Sequence, residues 1–358
     1  MSPLDQYIAA AAAPFDEATT LPPSAYHDPA VFELERERVL DRAWRCVGHV
    51  SQLAEDGALL PRRVAGREIV LIRHAGTITA RSNVCLHRGA LLAGSACTAR
   101  HLVCPYHAWG YGLDGRLLTT PFAPGLADRV GDPVLAEFAT EVWNGWIYVS
   151  FAESPEPLAD NLGGLGELIA ECRVETMVVA TELSEVWPVN WKVLAENFIE
   201  SYHLFSVHRE TLEPITPSST ARCLPGGPGY AVHTLDVLPV GDRQRGLDVL
   251  VAIFPAHVVS VMPASALWLA LDPIDAGSVM VHAAFAVQPA ELERRGLTID
   301  EYAAVQLEYF HRFNNEDKAV CASVMAGLRS PTAVAGPLAP LERPVWELHQ
   351  YLGERLAG

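Results

Sequence analysis

The tightest constraint on this chain lies between residues 85 and 107. There Cys85-Leu86-His87 is followed, after sixteen residues, by Cys104-Pro105-Tyr106-His107. Each short run offers one thiolate and one imidazole, so a fold that uses them must bring the two runs together. Four thiolates would point to zinc or to an ordinary ferredoxin cluster. A Cys-x-His run paired with a Cys-x-x-His run instead fits a [2Fe–2S] cluster in which two histidines replace two cysteines on one iron, which raises the reduction potential. The competing reading is a zinc knuckle with two Cys and two His. Zinc fingers usually carry both thiolates in one arm and both imidazoles in the other, and here each arm has one of each.

The rest of the composition is compatible with such a centre. The chain has 358 residues, 50% hydrophobic and 19% charged, enough for two or three domains with their own cores. A formal charge of −17 argues against nucleic acid as a partner. It permits docking of a basic redox partner, although many proteins are acidic for solubility alone. The seven cysteines are scattered and odd in number, which is not a disulfide framework and suits a reducing, cytoplasmic setting. The alanine-rich run within residues 1–14 has no basic flank and is interrupted by Asp5, so it does not read as a secretory signal. No stretch approaches eighteen apolar residues, and no membrane span is expected.

In chain order, Asp28 offers an N-cap, Pro29 suits the first helical position, and Phe32, Val39, Leu40, Ala43 and Trp44 recur at helical spacing. This predicts a helix over about 29–43. From 44 to 151 the texture turns to short β-type runs at 68–73, 77–82 and 142–151, with Asp114-Gly115 as a hairpin turn. Residues 152–164 hold Pro155, Pro157, Gly163 and Gly164 and read as a linker. Strands follow at 177–186, 230–237, 247–253, 258–262, 266–272 and 279–287, with helices at 190–204 and 299–326. The expected class is α+β: an all-β domain with two ligand loops at one end, then a curved antiparallel sheet wrapped around helices. The expected division is 1–43 as a helical segment packing with the second domain, 44–151, and 152–358.

A second ligand set lies on the helix predicted near residue 200. Glu200 and His203 are three apart and share a helical face. His203 and His208 are five apart, about 140° around an ideal helix, so both reach one metal only if the helix widens or breaks after His203. A lone histidine there would more often be a satisfied core residue; two, with Glu200 and Asn197 alongside, make a candidate site with Glu200 and Asn197 as its catalytic residues.

The Cys85–His107 run resembles the Rieske motif. The run 190–208, with its Asn-Trp-Lys opening, Glu-Asn-Phe centre and His-x4-His end, is similar to the iron-binding segment of Rieske non-haem iron oxygenase large subunits. The resemblance spans about 25–351. It implies a Rieske β-domain holding the cluster through Cys85, His87, Cys104 and His107, and a helix-grip catalytic domain holding mononuclear Fe(II). The family's third iron ligand is an aspartate on a C-terminal helix. The matching run Asn315-Glu316-Asp317-Lys318 puts Asp317 in that place, with Glu316 its rival, and completes a two-histidine, one-carboxylate triad with His203 and His208. The family assembles as a homotrimer in which the cluster of one subunit serves the iron of its neighbour. No Gly-x-Gly-x-x-Gly strand–helix unit occurs, so NAD(P)H is used only indirectly, through a separate ferredoxin or flavin reductase.

One departure bears on substrate. The family usually has aspartate three residues before the first iron histidine, at the position that bridges the two centres, and this chain has Glu200. Glutamate there is similar to a subgroup acting on carnitine-like quaternary amines, and the closing segment 336–349 resembles the choline and betaine branch. The expected reaction uses O2 to hydroxylate or oxidatively N-demethylate a small amine. The alternatives are hydroxylation of an aromatic acid and, remotely, an electron carrier without catalysis. Phe198, Tyr202, Phe205, Phe254, His257 and Trp268 are the candidate pocket residues, able to serve a quaternary amine or an aromatic ring.

Overall fold

The β-rich middle of the chain forms its own body. In the computed structural model, which describes residues 1–123, 125, 126, 131, 133–241 and 244–358, the chain divides into two compact units. One is Trp44–Pro155. The other joins Met1–Ala43 to Glu156–Gly358.

The first unit is built on a seven-stranded antiparallel sheet. Its strands are β1 (Arg45–His49), β2 (Ala58–Val64), β3 (Arg67–His74), β4 (Thr77–Ser82), β5 (Cys97–Thr98), β9 (Glu137–Trp143) and β10 (Trp146–Ser150), in the order β1-β10-β9-β4-β3-β2-β5. A smaller sheet holds β6 (Leu102–Val103), β7 (Gly110–Tyr111) and β8 (Leu117–Thr119). The run 142–151, expected as one strand, is split by Asn144-Gly145, with φ of +45° and +86°, into the β9–β10 hairpin. Asn-Gly suits such a turn because both central residues need positive φ. The continuous apolar run of β3 has a simple cause. Ile69 and Leu71 pack on one face with Ile147 and Val149, while Val70 and Ile72 pack on the other with Cys85, Cys104, Trp109 and Tyr111. Cys85 and Cys104 are therefore part of a hydrophobic core.

The second unit has an antiparallel sheet of β11 (Val178–Trp187), β12 (Arg222–Gly227), β13 (Tyr230–Val237), β14 (Gly246–Ile253), β15 (His257–Met262), β16 (Ser265–Asp275) and β17 (Ser278–Val287). The order is β11-β17-β16-β15-β14-β13-β12, a meander closed by the first strand. Its helices in chain order are α1 (Pro3–Ala11), α2 (Pro29–Glu35), α3 (Leu158–Asn161), α4 (Leu165–Leu168), α5 (Trp191–Phe198), α6 (Leu204–Val207), α7 (Pro289–Arg295), α8 (Ile299–Leu328) and α9 (Arg343–Ala357). The main core joins one face of this sheet to α1, α2, α5, α8 and α9. Asp28 caps α2 by accepting the Ala30 N–H at 2.8 Å, as its sequence implies. The helix expected to run to 43 instead leaves the α form at Glu35 and passes through a π turn, Arg36–Leu40. Strand β12 was not expected: Pro225, Gly226 and Gly227 mask it. α8 opens on a capping box between Thr298 and Glu301 and buries Phe310, Phe313, Asp317, Cys321 and Met325 along one stripe. An aspartate within an apolar stripe demands a partner.

A buried ion pair ties α2 to α5. Lys192 and Glu35 are both fully buried, 2.7 Å apart, and Glu35 also accepts from Tyr7 and Trp191. Removing one partner leaves a charge without compensation, which costs about 3–5 kcal/mol. Glu35→Ala is expected to lose about that much stability to denaturant, while Glu35→Leu with Lys192→Met is more stable than the single variant. A single variant as stable as the double would show that this pair carries no such penalty.

Among the described residues, no helix is long and apolar enough to cross a membrane.

Candidate metal centres

The two cysteine loops are near copies of one turn. In the first, the Gly89 N–H donates to the Cys85 carbonyl (3.0 Å) and the Cys85 N–H to Ala90 (2.8 Å). In the second, the Ala108 N–H donates to the Cys104 carbonyl (3.0 Å) and the Cys104 N–H to Trp109 (2.8 Å). Gly89 and Ala108, each four residues after its cysteine, both have positive φ, +76° and +54°. Glycine adopts that conformation without cost, whereas alanine is strained there by about 1–2 kcal/mol.

This shared turn buries the thiols and presents the imidazoles. Cys85 and Cys104 are 3% and 2% exposed, while His87 and His107 lie at the surface with ring centroids 4.7 Å apart. His87 stacks on Trp109 at 4.6 Å. Burial pushes the Cys104 thiol up, but the backbone N–H groups of Tyr106 and His107 and the neighbouring Cys85 outweigh it and lower its pKa. The Tyr111 hydroxyl lies 3.2 Å from Cys85 Sγ. Such donors favour thiolate and sulfide, so the residues fit an iron–sulfur centre.

The second centre departs from the expected helix. α5 stops at Phe198, the chain runs irregularly through Glu200, Ser201 and Tyr202, and His203 caps the short α6. The break therefore falls before His203, not after it, and Glu200 and His203 do not share a helical face. They meet because the Glu200 carboxylate folds over the loop. Oε2 accepts from the Tyr202 N–H and from the His203 N–H (3.2 Å), while Oε1 takes His203 Nδ1 at 2.6 Å. A side chain that satisfies these amides competes with continued helix. Ser201 Oγ reaches the buried His233 Nε2 at 2.6 Å and anchors the loop to β13. Burial, with the nearby His203, pushes His233 down to about 3, so it stays neutral.

α6 and α8 complete the group. His208 Nε2 lies 3.0 Å from Asp317 Oδ1, and His203 Nε2 lies 3.7 Å from the same oxygen. Asn197, a residue of α5, donates its amide to that oxygen at 2.9 Å, so it orients Asp317. Burial lowers the His208 pKa, but its hydrogen bonds with Asp317 and Glu316 outweigh burial and raise it. Three carboxylates, Glu200, Glu316 and Asp317, thus face two imidazoles. That excess of negative charge with three converging donors fits a divalent cation such as Fe(II). What holds α8 in place has no local signal in the chain. Glu185 of β11 accepts from Asn314 (3.0 Å) and Lys318 (2.7 Å), which bracket Asp317, and from Trp187 (2.8 Å). Burial raises Glu185, but the donors Lys318, Trp187 and Asn314 hold it below its usual range.

The three donors line a cavity of about 480 Å³ whose walls include Phe198, Leu235, Leu250, Leu267, Phe285 and Phe313. Glu200 and Asn197 also line it. Of the expected pocket residues, Phe198 is there and the others are not. Leu267 and Ser260 point into the cavity, so Trp268 and His257, at the opposite parity on β16 and β15, point to the other face of the sheet. There Trp268 is buried, and burial pushes His257 down to about 3. Phe254 packs on Tyr351 in the core, at 5.1 Å between ring centroids. Tyr202 and Phe205 are about half exposed and touch each other. Tyr302, Tyr309, Phe285 and Phe313 supply the rings that sequence reasoning missed.

The comparisons agree with this architecture. Residues 174–358 match the model of the ring hydroxylating alpha subunit (catalytic domain), and residues 43–131 match the Rieske [2Fe–2S] domain. The chain is 34% identical over 197 residues to the carnitine monooxygenase oxygenase subunit of Escherichia coli (strain K12), covering 54% of this chain and 53% of that one. It is 35% identical over 198 residues to the glycine betaine monooxygenase oxygenase subunit of Chromohalobacter salexigens, covering 55% and 44%. The matches thus span about half the length of these curated relatives. The crystal structure of the quaternary ammonium Rieske monooxygenase CntA, bound to an inhibitor, shares the fold over 98% of both chains, with a TM-score of 0.84 at 23% identity.

Proposed function

Because the chain belongs to the family of ring-hydroxylating alpha subunits, with a Rieske [2Fe–2S] domain ahead of the catalytic domain, we propose that it is a terminal oxygenase acting on a small quaternary amine. The observation that carries this reading is the His203–His208–Asp317 group opening on a mostly apolar cavity. Iron held there would supply the activation of dioxygen, and Cys85, His87, Cys104 and His107 would hold the Rieske cluster that supplies its electrons. The electron donor would be a separate NAD(P)H-dependent reductase. In the homotrimer proposed for the chain, the cluster of one subunit serves the catalytic unit of its partner.

The chain's own residues have distinct tasks in this scheme. His203, His208 and Asp317 would hold the metal at the wall of the cavity, and the cavity would receive the substrate. Asn197 fixes the orientation of the Asp317 carboxylate. Leu235, Leu250 and Leu267 exclude water from the reacting region. The rings of Phe198, Phe285, Phe313, Tyr302 and Tyr309 offer faces to an alkylated ammonium group, each worth about 0.5–2 kcal/mol when desolvated. Glu200, in place of the family's usual aspartate, and the carnitine and glycine betaine monooxygenase relatives support the amine over an aromatic acid.

The test is oxygen uptake with a surrogate reductase across a panel of betaines, carnitine and aromatic acids, beside iron and acid-labile sulfide analysis. Substrate-dependent uptake with a quaternary amine is expected, with about three iron atoms and two sulfides per chain. Uptake with an aromatic acid alone would move the assignment to ring hydroxylation. Zinc without sulfide would end the oxygenase reading.

A further inference from the structure

The geometry points to Glu316 as a positioning residue: held by Thr211, its carboxylate fixes the His208 ring so that Nε2 faces the metal. This rests on the iron-site reading above and adds a residue to it.

His208 is gripped by one face of α8. Tyr309, Phe313, Glu316 and Asp317 are spaced at four, seven and eight residues and therefore lie along the same side of the helix. The Tyr309 hydroxyl donates to the Thr211 carbonyl at 3.0 Å, and the Phe313 ring meets the His208 ring edge-on, with centroids 6.3 Å apart. Glu316 Oε2 accepts from Thr211 Oγ1 at 2.6 Å and from His208 Nδ1 at 2.7 Å. Asp317 meets the ring's other nitrogen. Consecutive residues of one helix thus hold both nitrogens of a histidine 108 residues earlier in the chain.

The chemistry follows from that pairing. An Nδ1–H donated to a carboxylate fixes the tautomer, leaves the Nε2 lone pair for a metal and makes the imidazole a stronger donor. His203 receives the same treatment from Glu200, but from three residues away within its own loop. Glu316 instead arrives on the helix that carries the third ligand. Any shift of α8 therefore moves Asp317 and the His208 ring together, so two ligands from separate elements behave as one unit. A mere anchor between α8 and the turn at Thr211 would change stability but leave the metal unaffected.

The experiment uses the full chain with its cluster loaded and the mononuclear site emptied by a chelator. That site is then titrated with Co(II), reading affinity by chelator competition and geometry by the visible d–d bands. The wild-type chain should bind one Co(II). Glu316→Ala should weaken binding by about 10–100-fold and shift the bands, with Glu316→Gln, which keeps an acceptor but not the charge, weakened less. Thr211→Val, which leaves the carboxylate on His208 but frees its orientation, should shift the bands in the same sense by a smaller amount. If Glu316→Ala fails to fold, the Gln and Val variants carry the measurement. Unchanged affinity and bands in the folded variants would overturn the positioning role while leaving the triad intact. A wild-type chain that binds no Co(II) there would overturn the iron-site reading, and this inference with it.

Discussion

Asp317→Ala is expected to abolish substrate-dependent oxygen uptake while leaving the visible absorbance of the cluster unchanged. Among the described residues, Asp317 is the one carboxylate that meets both imidazoles, at 3.0 and 3.7 Å. Without it, two nitrogen donors remain, and a facial triad cannot form. The loss should be local because the cysteine loops belong to the other compact unit. Iron content should fall from about three to about two atoms per chain. Cys104→Ala is the converse: it removes a thiolate whose amide donors are built around it, so cluster absorbance and sulfide should vanish while mononuclear iron persists. The measurements are metal analysis, acid-labile sulfide and oxygen consumption on the same samples. Substantial turnover in Asp317→Ala would remove that residue from the ligand set and return attention to Glu316.

How much of this was legible in the sequence depended on what fixed each feature. The cysteine loops were legible because donor type and short spacing follow directly from the chain, and the near-identical turns at Gly89 and Ala108 do the rest. Long elements with one clear period, such as α8 and the strands 230–237 and 279–287, also appeared close to their true bounds. The helix at 190–204 did not, because propensity is blind to a side chain that takes backbone amides for itself, as Glu200 does. Pocket residues failed for another reason. β15 and β16 are apolar on both faces, so the pattern names a buried strand without saying which parity meets the cavity. Asp317 was reached only through family resemblance, although a carboxylate in the apolar stripe of α8 was a physical clue. The clamps from Glu185 and Glu316 join residues more than 100 positions apart, and nothing local announces them.

Glu200 is expected to give the largest effect on electron flow, and its geometry sharpens what each substitution tests. A carboxylate has about four lone-pair sites. Among the described residues of one chain, Glu200 already uses three, two for the Tyr202 and His203 amides and one for His203 Nδ1. The remaining site is on Oε1, the oxygen that touches His203, and that is where a donor such as the partner subunit's His107 would dock in the proposed homotrimer. The bridge proposed here thus runs through a single oxygen, and the loop amides keep the carboxylate in place before any partner arrives. Glu200→Gln is not a neutral replacement, since its one carbonyl oxygen cannot serve both the amides and His203. Glu200→Asp keeps the charge but shortens the reach. In stopped-flow reoxidation of the pre-reduced cluster by dioxygen with substrate present, Glu200→Ala should be slowed beyond the roughly 10–100-fold that losing a ligand-orienting partner costs. Glu316→Ala is the internal control, because it removes an orienting carboxylate from His208 without touching the proposed path. Reduction of the cluster by the reductase should stay fast in every variant. If Glu200→Ala and Glu316→Ala slow reoxidation equally, after correction for iron content, Glu200 orients His203 and nothing more.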